Sequence, residues 1–271
     1  MQDIAGCRAI LKSVTDVKKL VEMYKRSDIK HKLVHEDDYI AAPKESGYRS
    51  HHMIYRYYSD RSEHYNDLKV EIQIRTGLQH AWATAVETVG TFIQQALKSS
   101  QGEAEWLRFF TLMAAHMALR EGTAAVPDTP SDREALREEI RALRDKLDVS
   151  GHLLAYTRAL ADPEIVGVYQ DSHYLLLELN ANTKQIKVTG YASEDLTRAC
   201  RDYLDVEKAA IEGKSGLDAV LVSVESVKAL KQAYPNYFLD THNFLQAIEF
   251  ATRGTPRIKV VHVAAPKNHT G

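Results

Sequence analysis

The sequence predicts an α/β protein in two unequal parts, and three observations carry that expectation. Alternating apolar runs, "HHMIYRYYS" at 51–59 and "LKVEIQIRT" at 68–76, have the period-two pattern of strands, and "IAGCRAIL" at 4–11 follows it imperfectly. Long stretches of helical periodicity lie between and after them. A second set of strands and helices then follows "GTAAVPDTPSD" (122–132), which carries two prolines and no periodicity and reads as a linker. A chain of 271 residues, 44% of them hydrophobic, can bury a real core as one large or two modest domains.

In chain order, 4–11 reads as a buried strand. "SVTDVKKLVEMYKRS" (13–27) reads as a helix with Val14, Val17, Leu20, Val21 and Tyr24 on one side and Ser13 or Thr15 as its cap. "KLVHED" (32–37) is a short strand or loop. Strands at 51–59 and 68–76 lead into a long helix over 77–99 and a strongly apolar one over 104–122. Ser131 and Glu134 are spaced as a capping box opening a helix over 131–161, where Leu136, Ile140, Leu143, Leu147 and Leu154 recur near heptad spacing. That stripe suits a helix packed on its own domain, or one that pairs two copies of the chain. Beyond it, strands at 165–169, 174–180, 185–191 and 218–224 alternate with helices over 193–211, 224–238 and 240–253. The expected division is 1–125, a linker and helix over 126–161, and a small α/β domain over 162–271.

A net charge of −2 gives no global basic field for nucleic acid or membrane, so any anion site must be local. Cys7 and Cys200 form no CxxC pair, which fits a reducing cytoplasm. No apolar stretch approaches the ~18 residues of a membrane helix, and no signal peptide is visible.

The chemistry-bearing residues cluster in the first part. Along 69–75, Lys69, Glu71, Gln73 and Arg75 share one strand face while Val70, Ile72 and Ile74 share the other. "KESGYRSHH" (44–52) packs a lysine, an arginine, two histidines and a tyrosine into nine residues. Phosphoryl-type transfer needs carboxylate oxygens for a divalent cation, cations to neutralise moving charge, and a positioned nucleophile. Asp3 and Glu71 are the candidate metal ligands, since Mg²⁺ takes only one or two protein carboxylates. Arg8, Lys44, Arg49 and Arg75 are the candidate phosphate partners, and Tyr48 offers a ring for base stacking. His51 falls on the opposite strand face from His52 and is expected to be structural. Trp82 and the stripe Trp106, Phe109, Phe110, Leu112 and Met113 read as helix core. His31 and His35 lack a third ligand for zinc.

"DIAGCR" (3–8), "PKESGYRSHH" (43–52) and "VEIQIRT" (70–76), followed by "HAWATAVE" (80–87), occur in an order that resembles the RelA/SpoT alarmone synthetase domain. The resemblance covers roughly residues 1–125. It implies a nucleotidyltransferase-like mixed sheet flanked by helices, and transfer of pyrophosphate from ATP to the 3′-hydroxyl of GDP or GTP. On that resemblance Asp3 would hold Mg²⁺, Arg8 would stack on adenine, Lys44 would meet acceptor phosphates and Tyr48 would stack on guanine. His52 would help hold the acceptor, Glu71 would complete the metal site and take the hydroxyl proton, and Gln73 and Arg75 would line the acceptor side. Relatives carry a basic helix upstream of the "DIAGCR" aspartate, where this chain has two residues. The expectation is therefore a nearly complete acceptor half and a largely missing ATP half, from a start codon placed too far downstream or a genuine short form. Two other functions stay open: pyrophosphorylation of the tRNA 3′ CCA end, and a catalytically inactive nucleotide- or protein-binding module.

Overall fold

A computed structural model describes residues 5–96, 103–161, 172–180, 185–211, 217–233 and 237–253. Four strands form the first sheet: β1 (Ala5–Leu11), β2 (Lys32–Asp38), β3 (His51–Arg56) and β4 (Lys69–Thr76), in the order β1-β4-β3-β2. β1 runs parallel to β4, and the other pairs are antiparallel. The sheet is mixed, as the resemblance implies. Helix α1 (Val14–Arg26) starts at Ser13, whose hydroxyl accepts from the Asp16 amide at 3.2 Å, so Ser13 and not Thr15 is the cap. Its buried Val17 and Val21 pack against Met53, Tyr55 and Ile74 on one face of the sheet.

Strand periodicity decides what the opposite face carries. With Met53 and Ile74 turned to α1, their neighbours His52, Glu71 and Gln73 point the other way. β1 corrects the expectation of a buried strand. It lies at the sheet's edge, bonded to β4 on one side only, and Ala5, Gly6, Cys7 and Arg8 are exposed.

Helices α2 (Gly77–Ala96) and α3 (Glu103–Glu121) follow, then α4 (Arg133–Lys146) and α5 (Val149–Ala161). A second, antiparallel sheet contains β5 (Tyr174–Asn180), β6 (Gln185–Tyr191) and β7 (Leu217–Ser223) in the order β6-β5-β7. Helices α6 (Leu196–Ile211), α7 (Val224–Ala233) and α8 (Tyr237–Thr252) complete the described elements. Leu175 and Leu177 of β5 and Val220 and Val222 of β7 join the large core, whereas Leu176, Ala219 and Leu221 pack with Ala199 of α6. Both faces are covered, which is why β7 reads as a continuous apolar run.

The packing crosses the expected boundaries at 125 and 161. One buried cluster takes Trp82, Phe92 and Phe110 from α2 and α3, Ile140 and Tyr156 from α4 and α5, and Phe244 from α8. Phe92 and Tyr156 stack with ring centroids 4.2 Å apart. Residues 126–161 are therefore part of the core; even Val126 is buried. The single helix expected over 131–161 breaks at Leu147–Asp148, where Asp148 takes φ 39°. Its cap is Asp132, accepting from the Glu134 and Ala135 amides, in place of the Ser131 capping box. Leu136 and Ile140 are buried in the chain's own core with Leu143 and Leu147 packed beside them, and Leu154 alone of the heptad set is exposed. The stripe thus serves intramolecular packing. The strand expected at 165–169 lies outside the described residues, and the helix expected over 224–238 ends at Ala233. No helix among the described residues is long and apolar enough to cross a membrane.

Candidate active site

The loop entering β3 is shaped by one glycine. Gly47 has φ +87°, and a Cβ there would lie 2.6 Å from Ala114 Cβ and 3.3 Å from Thr111 Cα of α3. Only glycine lets this loop press onto α3 in that conformation. A turn closes between the Gly47 amide and the Lys44 carbonyl at 2.8 Å, which places Lys44 and Tyr48 together.

From Tyr48 a line of hydrogen bonds crosses the open face of the sheet. Tyr48 Oη lies 2.8 Å from His52 Nε2, and His52 Nδ1 lies 2.6 Å from Glu71 Oε1. Gln73 Nε2 donates to Glu71 Oε2 at 2.8 Å, and Arg8 Nε donates to Gln73 Oε1 at 3.3 Å. Strand register builds this line, because His52 and Arg8 both sit opposite Gln73, one on each side of β4. Burial holds the His52 imidazole below its ordinary pKa, against the opposing pull of Glu71. A neutral ring then has one consistent arrangement: Nδ1–H donates to Glu71 and Nε2 accepts from Tyr48. Burial also pushes the Tyr48 phenol up, with the Arg75 charge opposing it.

Lys44 Nζ stands 4.3 Å from the centre of the Tyr39 ring and 5.6 Å from that of Tyr48. Tyr39 in turn packs edge-on against Tyr48 and His52, with centroids 6.0 Å and 5.3 Å away. Sequence reasoning missed Tyr39. Its one available signal was a tyrosine beside the turn "DDYIAAPKES", outside any periodic pattern.

Arg8, Lys44, Tyr48, His52, Glu71 and Gln73 are thus brought together. Arg49 and Arg75 are not on this open surface. Arg49 is 2% exposed; its guanidinium donates to Glu121 Oε2 at 2.7 Å and to Thr123 Oγ1 at 3.4 Å. Glu121 also accepts from Thr76 and from Gln79, so this buried group ties the start of β3 and the end of β4 to α2 and α3. Arg75, on the same strand face as Glu71 and Gln73, is 1% exposed, with a terminal nitrogen 2.5 Å from His80 Nδ1. His80 Nε2 lies 3.1 Å from Asp240 Oδ2 of α8. His51 faces the other way, 2.9 Å from Glu36 Oε1. Trp82 is core and donates to the Phe110 carbonyl at 2.8 Å. His31 accepts from the Tyr58 amide while His35 contacts Asp37, so the two do not form a metal pair.

Asp3 lies outside the described residues. Among those described, no three His, Cys, Asp or Glu side chains are grouped to hold a metal ion. The Glu71 carboxylate is partly open, 19% exposed, and among the described residues His52 and Gln73 use two of its roughly four lone-pair positions.

Residues 1–90 match the family model described as "Region found in RelA / SpoT proteins". Over 85 residues the chain is 44% identical to GTP pyrophosphokinase YjbM of Bacillus subtilis (strain 168), covering 31% of this chain and 39% of that protein. It is 36% identical over 84 residues to GTP pyrophosphokinase YwaC of the same strain, covering 31% and 40%. The solved small alarmone synthetase 1 from Bacillus subtilis, bound to its product pppGpp, is similar at 32% identity over 45% of this chain and 60% of that one, with a TM-score of 0.34. The chain spans about two fifths of the length of the curated relatives it matches. The matched segment contains every residue of the hydrogen-bonded line from Arg8 to Gln73, and it is this first third of the chain that is similar to the region found in RelA/SpoT proteins.

Proposed function

We propose that this chain transfers the β,γ-diphosphate of ATP to the 3′-hydroxyl of GDP or GTP. The observation that carries the reading is the line Tyr48–His52–Glu71–Gln73–Arg8 on the open sheet face. It holds one carboxylate by two donors, with an aromatic ring and a lysine at one end and an arginine at the other. Similarity to two GTP pyrophosphokinases across that segment supports the assignment of substrates.

In this reading Tyr48 stacks on the guanine and Lys44 meets the acceptor's 5′-phosphates. Arg8, at the edge strand, serves the adenine side. Glu71 takes the proton of the 3′-hydroxyl as the hydroxyl oxygen bonds to the β-phosphorus; the bond between the β-phosphorus and the α,β-bridging oxygen breaks, and AMP leaves with that oxygen and its electron pair. His52 is a positioning residue: its Nδ1–H fixes the carboxylate, and its neutrality keeps the Tyr48 hydroxyl as donor. Gln73 fixes the second oxygen. Mg²⁺, when bound, supplies neutralisation of charge on the migrating diphosphate; Glu71 would hold it, with Asp3 as a second oxygen donor.

The test offers ATP labelled at the β- or γ-phosphate with GDP, GTP or tRNA as acceptor. Label on the guanine nucleotides is the expected result. Label on tRNA alone would replace this reading with the CCA-directed one, and nucleotide binding with no transfer to any acceptor would leave a binding module.

A further inference from the structure

A second cluster of charge lies outside the matched segment, where the end of α3 meets the start of α4 and the end of α8. A cavity of about 230 Å³ is lined by His116, Leu119, Arg120, Arg133, Arg137 and Phe250. Three of the six are arginines and none is acidic. His116 is 5% exposed, and its Nε2 is buried with no hydrogen-bond partner among the described residues. Such a polar atom, left dry and unpaired, costs free energy unless something fills the space beside it.

We propose that this cavity binds a phosphate or diphosphate group, with Arg120, Arg133 and Arg137 around the oxyanion and His116 Nε2 turned to one of its oxygens. The arginine fork matches phosphate geometry, and three guanidinium groups around one space repel each other until an anion arrives. Of the carboxylates on the same elements, Glu121 is engaged by Arg49, Glu139 by Arg108 and Glu249 by Arg253, and Glu138, beside Arg137, is exposed. Glu134 competes for Arg137 from 3.9 Å and for Arg141 from 3.4 Å, and it is exposed. Arg120 also lies over the Phe250 ring, 4.5 Å from its centre, and that stack fixes the guanidinium at the wall.

Size limits the ligand. A space of this volume is below the ~300–1,000 Å³ of pockets that enclose a whole organic ligand, so it takes an anionic group. Arg120 and Phe250 also line an adjoining cleft of about 890 Å³, which could seat the remainder of an esterified phosphate. Free and esterified phosphate share the recognising chemistry.

The experiment follows the His116 imidazole resonance of the full chain, assigned by its absence in His116→Gln, during titration with inorganic phosphate, pyrophosphate, GDP and sodium chloride. We expect a saturable shift with a phosphate-bearing ligand at matched ionic strength. Saturation by pyrophosphate at lower concentration than GDP identifies free diphosphate, and the reverse order identifies an ester. In Arg133→Gln/Arg137→Gln the midpoint should rise at least about tenfold, the loss of two charge-assisted contacts. A wild-type resonance that does not move, that moves equally with chloride, or that moves unchanged in the folded double variant overturns the proposal. Should the double variant fail to fold by circular dichroism, Arg133→Gln alone, an exposed position in the first turn of α4, is read in the same way.

Discussion

Gly47 and Tyr48 are adjacent, and backbone and ring depend on each other. With φ +87° and α3 pressed against the missing Cβ, Gly47→Ala would force the loop off Ala114. We expect a loss of about 1–3 kcal/mol in urea unfolding, from strain plus displaced packing. Tyr48→Ala should raise the acceptor KM roughly tenfold or more, as removal of a ~1–3 kcal/mol stacking platform requires, while Tyr48→Phe keeps the ring and should change KM far less. Equal KM effects for both would mean the ring does not stack on the acceptor. Alternation along β3 and β4 was enough to separate His52 from His51 and to put Glu71 with Gln73, because a strand's period is fixed by its backbone. It could not foresee that Arg49 and Arg75 are buried. Their partners, Glu121 and His80, come from helices, and Glu121 lies 72 residues away in sequence from Arg49.

Helix α3 carries a different kind of consequence at its C-terminal end. Burial first, then the charges of Arg137, Arg120 and Arg133, lowers the His116 pKa to about 4. The ordinary value is about 6.5 in an unfolded chain. Between these values the unfolded state binds more protons than the folded one, so stability is present above pH ~6.5 and is lost as pH falls toward 4. His52 is shifted in the same direction. Thermal midpoints taken across this window should fall less steeply for His116→Gln than for wild type; identical slopes would show that His116 titrates normally. At this scale the helices α1, α2 and α3 were readable from apolar periodicity. The break between α4 and α5 was not, since Leu147 and Asp148 interrupt the geometry without interrupting the leucine spacing. The Asp132 cap was hidden by Ser131 beside it, a residue type equally suited to the position.

At the scale of the whole molecule, the segment similar to RelA/SpoT proteins and the described residues beyond it share one core. α2 begins at the end of β4, inside the matched segment, yet its Phe92 stacks on Tyr156 and its neighbour α3 buries Phe110 against Phe244. Sequence breaks such as "GTAAVPDTPSD" mark where the chain turns; they do not reveal which apolar faces meet afterwards. A fragment ending at residue 125 would uncover Trp106, Phe109, Phe110 and Met113, and we expect it to bind a hydrophobic dye and lack a cooperative unfolding transition; a cooperative transition equal to that of the full chain would show the boundary to be real. The central claim concerns a single carboxylate on the open face of the first sheet. Its most direct measurement is the single-turnover rate of diphosphate transfer from ATP to GDP by wild type and by Glu71→Gln, with matching circular dichroism spectra. The account predicts transfer by wild type and a loss of about 10²–10⁴-fold in the variant, the range for removal of a general base. Transfer by Glu71→Gln at the wild-type rate would contradict it.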